Sequence, residues 1–569
     1  MARSPRLLLV VALATAALLG FTSAASASPG ALDASFDGDG IAMTPIGTVD
    51  QAFAMAIDGS GRIVLAGFAF TTPTKKDFAV VRYNADGTLD TTFSVDGRAM
   101  LGFGAGTDDE AFDVAIDSSG RIVVAGSSTN GSQTDFAIAR LLADGSPDSS
   151  FDADGLVTTD FAGGADVANG VAITPGDGIV AAGSAFTGVA SDFALARYGS
   201  TGVLDPAFDT DGKVTTDFAG AADVAAAIEV DAQGKLVVGG SAYNGTNKDE
   251  FAIARYDTTG ALDPSFDADG MVVTTGNDQG RDLAIDDSGR IVLAGSAFTG
   301  TTLDFSVMRF NPDGSRDATF GKRGRVVTPI GTGSDAAEAV AIDAEGTVVA
   351  AGSAKFGEDR DVALARYTPA GAPLGVFGSA GTVTTNLGVS DSGRDVAFDA
   401  DGNVALAGYA TMGTNSDFSV LRYLGSGYRG DAMIKLPTDL AYTGDDVYNT
   451  TGLGQMRTAK GKLGTSITFN YRVQNESTGS DSFTLSGCGD SPGFTVTYSA
   501  GSTDITADVR AGTYTLGPVP VGGAPAINVK IAVGPTATVG GAKSCRIVST
   551  SAADPAAKDA AKAKVKVVS

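Results

Sequence analysis

Short apolar runs of five to seven residues recur through residues 31–423, each closed by a polar turn. One stretch shows the grammar. Ala111 to Ile116 is followed by the turn Asp117-Ser118-Ser119-Gly120, then by Arg121 to Gly126, a polar loop and Asp135 to Leu141. Ala143 to Pro147 then turns the chain into a fourth run, Gly155 to Asp160. Runs of this length, rich in Val, Ile and Ala and separated by Asp-Gly and Ser-Gly, predict strands, and no helical periodicity competes with them. The third run is apolar on both sides, Phe136 and Ile138 on one and Ala137 and Ala139 on the other. A strand patterned this way is buried on both faces.

The four runs form a unit that repeats. The phrases L-D-x-S-F-x-x-D-G-x-V, D-x-A-x-x-x-A-I-D, G-R-I-V-x-A-G-S and D-F-A-x-A-R-Y return about every 57 residues. The anchoring aromatic falls at Phe36, Phe93, Phe151, Phe208, Phe266, Phe320 and Phe377. Four antiparallel strands at this period predict a β-propeller, because a β-helix has shorter coils. The first run, Ile41 to Ile46, is of the fourth-strand type, and the last, Asp417 to Tyr423, is of the third-strand type. The expectation is an all-β chain: a seven-bladed propeller closed by the N-terminal strand, leaving no free edge. Residues 430–569 change to a polar/apolar alternation, as in Thr465 to Val473, Asp481 to Ser486, Phe494 to Tyr498 and Ile527 to Val533. That pattern predicts a two-sheet antiparallel sandwich, with Ala563 to Val568 as its last strand. The predicted domains are 28–428 and 429–569, behind a leader at 1–27.

The L-D-x-S-F-x-x-D-G and G-R-I-V-x-A-G phrases resemble the delta-60 repeat of bacterial proteins, over roughly residues 31–423. The resemblance implies a propeller-like exported protein and brings no reaction with it. Val473 to Gly479 resembles the V-x-N-x-G turn of bacterial Ig-like surface modules, with Gly479 two positions late. It implies a spacer or adhesive module.

Charge and composition narrow the function. With 40 Lys and Arg against 66 Asp and Glu, the net charge is −26. That balance argues against a nucleic-acid partner, since little would neutralise phosphates, and disfavours anionic membrane surfaces. Arg3 and Arg6, the apolar run Leu7 to Leu19 and the small residues Ala25-Ser26-Ala27 read as a signal peptide, so a secreted, extracellular protein is expected. No second run is long enough for a membrane anchor. Leu436-Pro437-Thr438-Asp439 lacks the Gly of a sortase signal. Cys488 and Cys545 are the two cysteines, expected as one disulfide in an exported chain. The chain has no His, which removes His-based triads, dyads and metal sites.

Two residue sets recur with the repeat. Asp50, Asp109, Asp166, Asp223, Asp278, Asp335 and Asp391 precede the first strand of each unit. They form a candidate acidic binding rim, with calcium as the candidate ligand. A turn-capping role competes and is favoured, since a scaffold needs its turn in every unit. No resident cofactor or metal is otherwise expected. The second set is Arg82, Arg140, Arg197, Arg255, Arg309, Arg366 and Arg422, near the end of each third strand. Asp90, Asp148, Asp205, Asp263, Asp317 and, across the closure, Asp33 are their expected ion-pair partners. Gly375 is read as replacing the Asp in the remaining copy, leaving Arg366 without a partner. The D-x-D-G copies, such as Asp37/Asp39, Asp152/Asp154, Asp209/Asp211 and Asp267/Asp269, read as turns. Arg429-Gly430-Asp431 reads as a chance tripeptide. Glu338, Glu345, Glu358 and Lys355-Phe356 break the repeat without forming a recognisable pair.

The resulting expectation is a monomeric, non-enzymatic binding or scaffold protein whose propeller face meets an extracellular glycan or protein. The alternative is a carboxylate-based enzyme acting on extracellular polysaccharide in the axial pocket. An asymmetric pair of close carboxylates in that pocket would favour the enzyme, and a uniform rim the scaffold.

Overall fold

The computed structural model describes residues 29–569 except 73–74, 132, 219, 244–248, 345, 426–429, 444–454, 476–479, 521–522 and 553–557. The leader, Arg429, Glu345 and the end of the 473–479 turn lie outside the described residues.

Five separate four-stranded antiparallel sheets follow one another along the chain. The first is built from Asp50–Ile57, Ile63–Thr72, Lys75–Tyr83 and Arg98–Leu101. Two further four-stranded groups share one eight-stranded sheet, joined by a single parallel bridge between Arg360 and Ser390. The last group takes its fourth strand from the N-terminus. Ile41–Thr44 pairs antiparallel with Asn415–Tyr423, Ile41 opposite Leu421 and Thr44 opposite Phe418. The pairing stops short of Ile46 at Pro45, which has no N–H to donate.

Packing follows the alternation read from sequence. Phe136 and Ile138 join a core with Phe151 and Val171 on one side. Ala137 and Ala139 join Phe78 and Phe93 on the other. The small alanines let neighbouring sheets approach. Every first strand carries a bulge, as between Ala52 and Ala54 or Ala111 and Asp113. The Gly of the A-G-S phrase sits opposite that bulge. A Cβ on Gly67 would lie 1.9 Å from the Gln51 carbonyl oxygen, so only glycine fits.

Two five-stranded sheets make up the C-terminal part. One holds Gly430–Lys435, Ser466–Asn475, Ala526–Val533, Phe494–Ala500 and Thr503–Asp504. The other holds Met456–Gly461, Lys558–Val567, Ala542–Ser551, Asp481–Gly487 and Tyr514–Val519. Inward residues of both, including Phe469, Tyr471, Leu485 and Val529, share one core. This is a two-sheet sandwich, with one short helix, Thr506–Ala511, that the strand pattern did not announce. Cys488 and Cys545 form a disulfide with Cα atoms 5.3 Å apart.

Candidate functional site

The recurring arginines hold the scaffold together. Arg82 Nε lies 2.8 Å from Asp90, and Arg140 Nε 2.7 Å from Asp148. Arg197 pairs with Asp205, Arg255 with Asp263, Arg309 with Asp317 and Arg422 with Asp33, all at 2.8–2.9 Å. Each guanidinium also covers the anchoring aromatic of its unit, as Arg82 covers Phe93 at 4.6 Å and Arg422 covers Phe36 at 4.8 Å. All but Arg140, whose Nη1 is buried without a hydrogen-bond partner, then reach a backbone carbonyl of the following unit: Arg255 donates to Pro312 at 2.6 Å, Arg309 to Pro369 at 2.6 Å. Arg422, in the last unit, donates to Ala85 in the first at 2.7 Å. The Arg366 expectation needs correction on two counts. Leu374, not Gly375, occupies the Asp position, because its N–H bonds to the Arg366 carbonyl as that of Asp90 does to Arg82. Arg366 is not left without a partner: its Nη2 turns to Asp343 at 2.9 Å.

The seven recurring aspartates are 0–1% exposed, so they do not themselves form an open acidic mouth. Asp50 accepts the N–H groups of Ile46 and Gly47 at 2.6–2.9 Å. Asp335 accepts those of Ile330, Gly331 and Lys355, and Asp391 those of Leu387, Gly388 and Thr411. Asp109 accepts from Phe103, Asp166 from Phe161 and Phe186, and Asp223 from Phe218. Each carboxylate thus ties the loop from the previous unit onto the first strand. Asp278 departs from the pattern, taking the guanidinium of Arg325. Burial, with nearby carboxylates adding to it, pushes Asp223 up to about 6. Asp166 and Asp223 each come within 4.8 Å of two further carboxylates, Asp135 with Asp160 and Asp192 with Asp217 respectively. These are the described groups with a spacing suited to a cation.

The axis carries a different chemistry. A cavity of about 680 Å³ is lined by the first strands of all seven units, from Phe53–Met55 to Arg394–Phe398. Three aspartates occupy the bulge position, where the other units have Ala54, Gly170, Ala227 and Ala339. Each accepts the next N–H of its own strand and one N–H from the following unit. Asp113 takes Val114 at 2.7 Å and Val171 at 2.6 Å, and Asp282 takes Leu283 and Val340 at 2.7 Å. Asp395 takes Val396 and, in the first unit, Met55, both at 2.6 Å. Burial pushes Asp113 up to about 8 and Asp395 to about 6, and Asp282 well above the usual range. These three clip units together.

Glu229 is unlike them. It stands where the other units have Ala56, Ala115, Ala172, Ala284, Ala341 and Ala397. It faces the solvent of the cavity, yet the depth of that cavity and the neighbouring Asp395 raise it to about 7. Its open side tempers the effect of burial, and the direction is upward. Elsewhere on the lining of the same cavity, Glu338 lies between two guanidinium groups, 3.5 Å from Arg394 and 3.9 Å from Arg281. Phe53 and Phe112 stack at 5.6 Å beside this group, with Arg394 covering Phe53 at 5.3 Å. Of these residues the sequence reading singled out Glu338 alone. A comparison of aligned repeat positions for charge in place of Ala would have found Glu229.

Five segments, 59–93, 118–151, 176–208, 233–266 and 287–320, match a family model described as a domain of unknown function (DUF5122) beta-propeller. Each runs from the first turn of a unit to its anchoring Phe. No curated relative matches the chain. Among solved structures, it is similar to a polysaccharide lyase of a family described as PL25 ulvan lyase, at 13% identity and TM-score 0.39, covering 67% of this chain and 96% of that one. The polysaccharide lyase Uly1 is similar at 10% identity and TM-score 0.38, covering 67% and 91%. Fructan 1-exohydrolase IIa from Cichorium intybus is similar at 7% and 0.23, covering 70% and 89%. These likenesses concern coarse fold alone. The expectation of a non-enzymatic binding scaffold is corrected at the axis: Glu229 and Glu338, unrepeated and unlike in their surroundings, line the cavity, while the recurring aspartates are buried.

Proposed function

We propose that this is a secreted, carbohydrate-active enzyme that cleaves an extracellular polysaccharide in the axial pocket. In this reading residues 28–428 form a closed ring of seven blades. The contacts that run from the last unit back to the first, Asp395 to Met55 and Arg422 to Ala85, support that closure. Residues 1–27 direct export, and 429–569 form an Ig-like module that spaces or attaches the ring. The single observation that carries the activity is Glu229, an unrepeated carboxyl group in the cavity, raised to about 7. At that value it holds a proton near neutral pH and can donate it to a leaving glycosidic oxygen. Glu338 supplies the second carboxylate, with Arg281 and Arg394 as counter-ions, to balance positive charge developing on the sugar ring. The bond broken is that between the anomeric carbon and the leaving oxygen. Water supplies the hydroxyl of the new reducing end, and its remaining proton restores the acid form of Glu229.

The test is a panel of neutral and acidic polysaccharides incubated with the mature protein, scored for new reducing ends and for unsaturated ends. Reducing ends without unsaturation are expected on at least one substrate. No cleavage of any substrate by folded protein would sink the reading, and unsaturated products would replace hydrolysis by elimination.

A further inference from the structure

A basic pocket in a chain of net charge −26 has no structural explanation in the repeat. Beside the axial mouth, a second cavity of about 290 Å³ is lined by Arg281, Arg360 and Arg394, together with Glu338 and Tyr409. All three arginines lie in the last three units. Phe53, Phe112, Asn169 and Ala226 stand where Arg281 and Arg394 do; Thr134, Ser191, Asp249, Leu303 and Ser416 stand where Arg360 does, and Lys76, the one other cation at that position, pairs with Glu110. The scaffold's own arginines, by contrast, recur in every unit and each faces a carboxylate.

These three are incompletely matched. Arg360 has no carboxylate in salt-bridge range among the described residues, and its Nη1 donates only to the Ser353 hydroxyl, at 2.9 Å. Arg394 Nε is buried without a hydrogen-bond partner. Its Nη2 meets the Tyr409 hydroxyl at 3.3 Å, and its plane lies over Phe53 and Tyr409. Glu338 is shared between Arg281 and Arg394 at 3.9 and 3.5 Å, longer than a hydrogen-bonded pair. Asp391, which also borders the cavity, is committed to the N–H groups of its loop. Three guanidinium groups therefore converge on one small cavity with one shared carboxylate between them. Planar N–H forks of this kind bind carboxylate and sulfate oxygens two at a time.

We infer that this pocket takes the anionic group, carboxylate or sulfate ester, of an acidic polysaccharide, and so selects the substrate of the axial site. The inference rests on the polysaccharide-cleaving reading and names its substrate class. The aromatic pair Phe53 and Phe112, next to the pocket where Arg394 covers Phe53 at 5.3 Å, offers the apolar face against which a neighbouring sugar ring lies. Arg281 and Arg394 would then exchange part of their contact with Glu338 for the substrate's anion, which couples binding to the charge on that carboxylate.

The experiment separates binding from cleavage. Affinity for polygalacturonate, a sulfated galactan and a neutral glucan is measured with the E229Q variant, which holds the substrate without turning it over. At least one acidic glycan should bind with an affinity that falls steeply as salt rises, and the neutral glucan should not bind. R360Q and R394Q should each weaken acidic-glycan binding about tenfold while the melting temperature stays near that of the parent. R360Q guards against a folding defect at the more deeply packed Arg394. Which acidic glycan binds distinguishes carboxylate from sulfate. Equal binding of the neutral glucan, or unchanged binding in R360Q, overturns the inference. Arg-dependent binding of an acidic glycan that the parent protein never cleaves would sink the enzyme and leave the pocket. Cleavage of neutral glycans alone would do the reverse.

Discussion

At the scale of single residues, the axis combines two kinds of carboxyl group that sequence position alone does not separate. Asp113, Asp282 and Asp395 are saturated by backbone N–H groups of two units. Replacing Asp113 by Ala leaves the Val114 and Val171 N–H groups without it, and a loss of about 1–3 kcal/mol is expected in chemical denaturation. The isosteric D113N should keep most of the stability and change its pH dependence. Asp113 is raised to about 8 when folded, above its unfolded value, so it contributes stability that is full at acidic pH and lost as pH rises through about 8. Asp395, raised to about 6, acts in the same direction. Pairs such as Asp263, held low by Lys235 and Arg255, act oppositely and lose their contribution only in strong acid. Stability should therefore peak at mildly acidic pH and decline toward pH 8, and D113N should flatten that decline. A melting temperature that climbs steadily from pH 5 to pH 8 would contradict this.

At the scale of elements, the strands were legible because each phrase obeys a simple rule. The L-D-x-S-F and R-Y phrases specify one cluster: guanidinium, carboxylate and ring within a single unit, with Tyr83 donating to Thr44 at 2.6 Å. The fourth strand supplied by the N-terminus could be read from the phase of the repeat. Removing residues 28–48 exposes the edge of Asn415–Tyr423 and takes Asp33 from Arg422. A sharp fall in thermal stability and a gain in aggregation are expected, measured by calorimetry and light scattering. The bulges were less legible, because they depend on how tightly a first strand meets the A-G-S glycine of the next. Of the axial residues only Glu338 was legible as a break in the repeat; a single Glu in place of Ala, as at Glu229, shows only when the units are aligned position by position. In the sandwich, replacing both cysteines by Ala should cost about 4 kcal/mol in denaturant titration, from the 57-residue loop they close. A loss near zero would mean that the two sheets are held by their core alone.

At the scale of the whole molecule, a repetitive frame surrounds a non-repetitive centre. Ion pairs, Tyr–Thr contacts and buried aspartates recur from unit to unit, and the proposed chemistry is placed where the recurrence breaks, at Glu229, Arg281, Glu338, Arg360 and Arg394. A scaffold alone needs no such breaks, and acid–base chemistry does, because the two carboxyl groups must differ in environment. The most direct test is the pH profile of kcat/KM on a cleaved polysaccharide, for the parent and E229Q. The account predicts an activity that falls as pH rises through about 7, the value of Glu229, and a loss of a hundredfold or more in E229Q with its fold intact. Activity in E229Q equal to that of the parent, with the same pH profile, would contradict it.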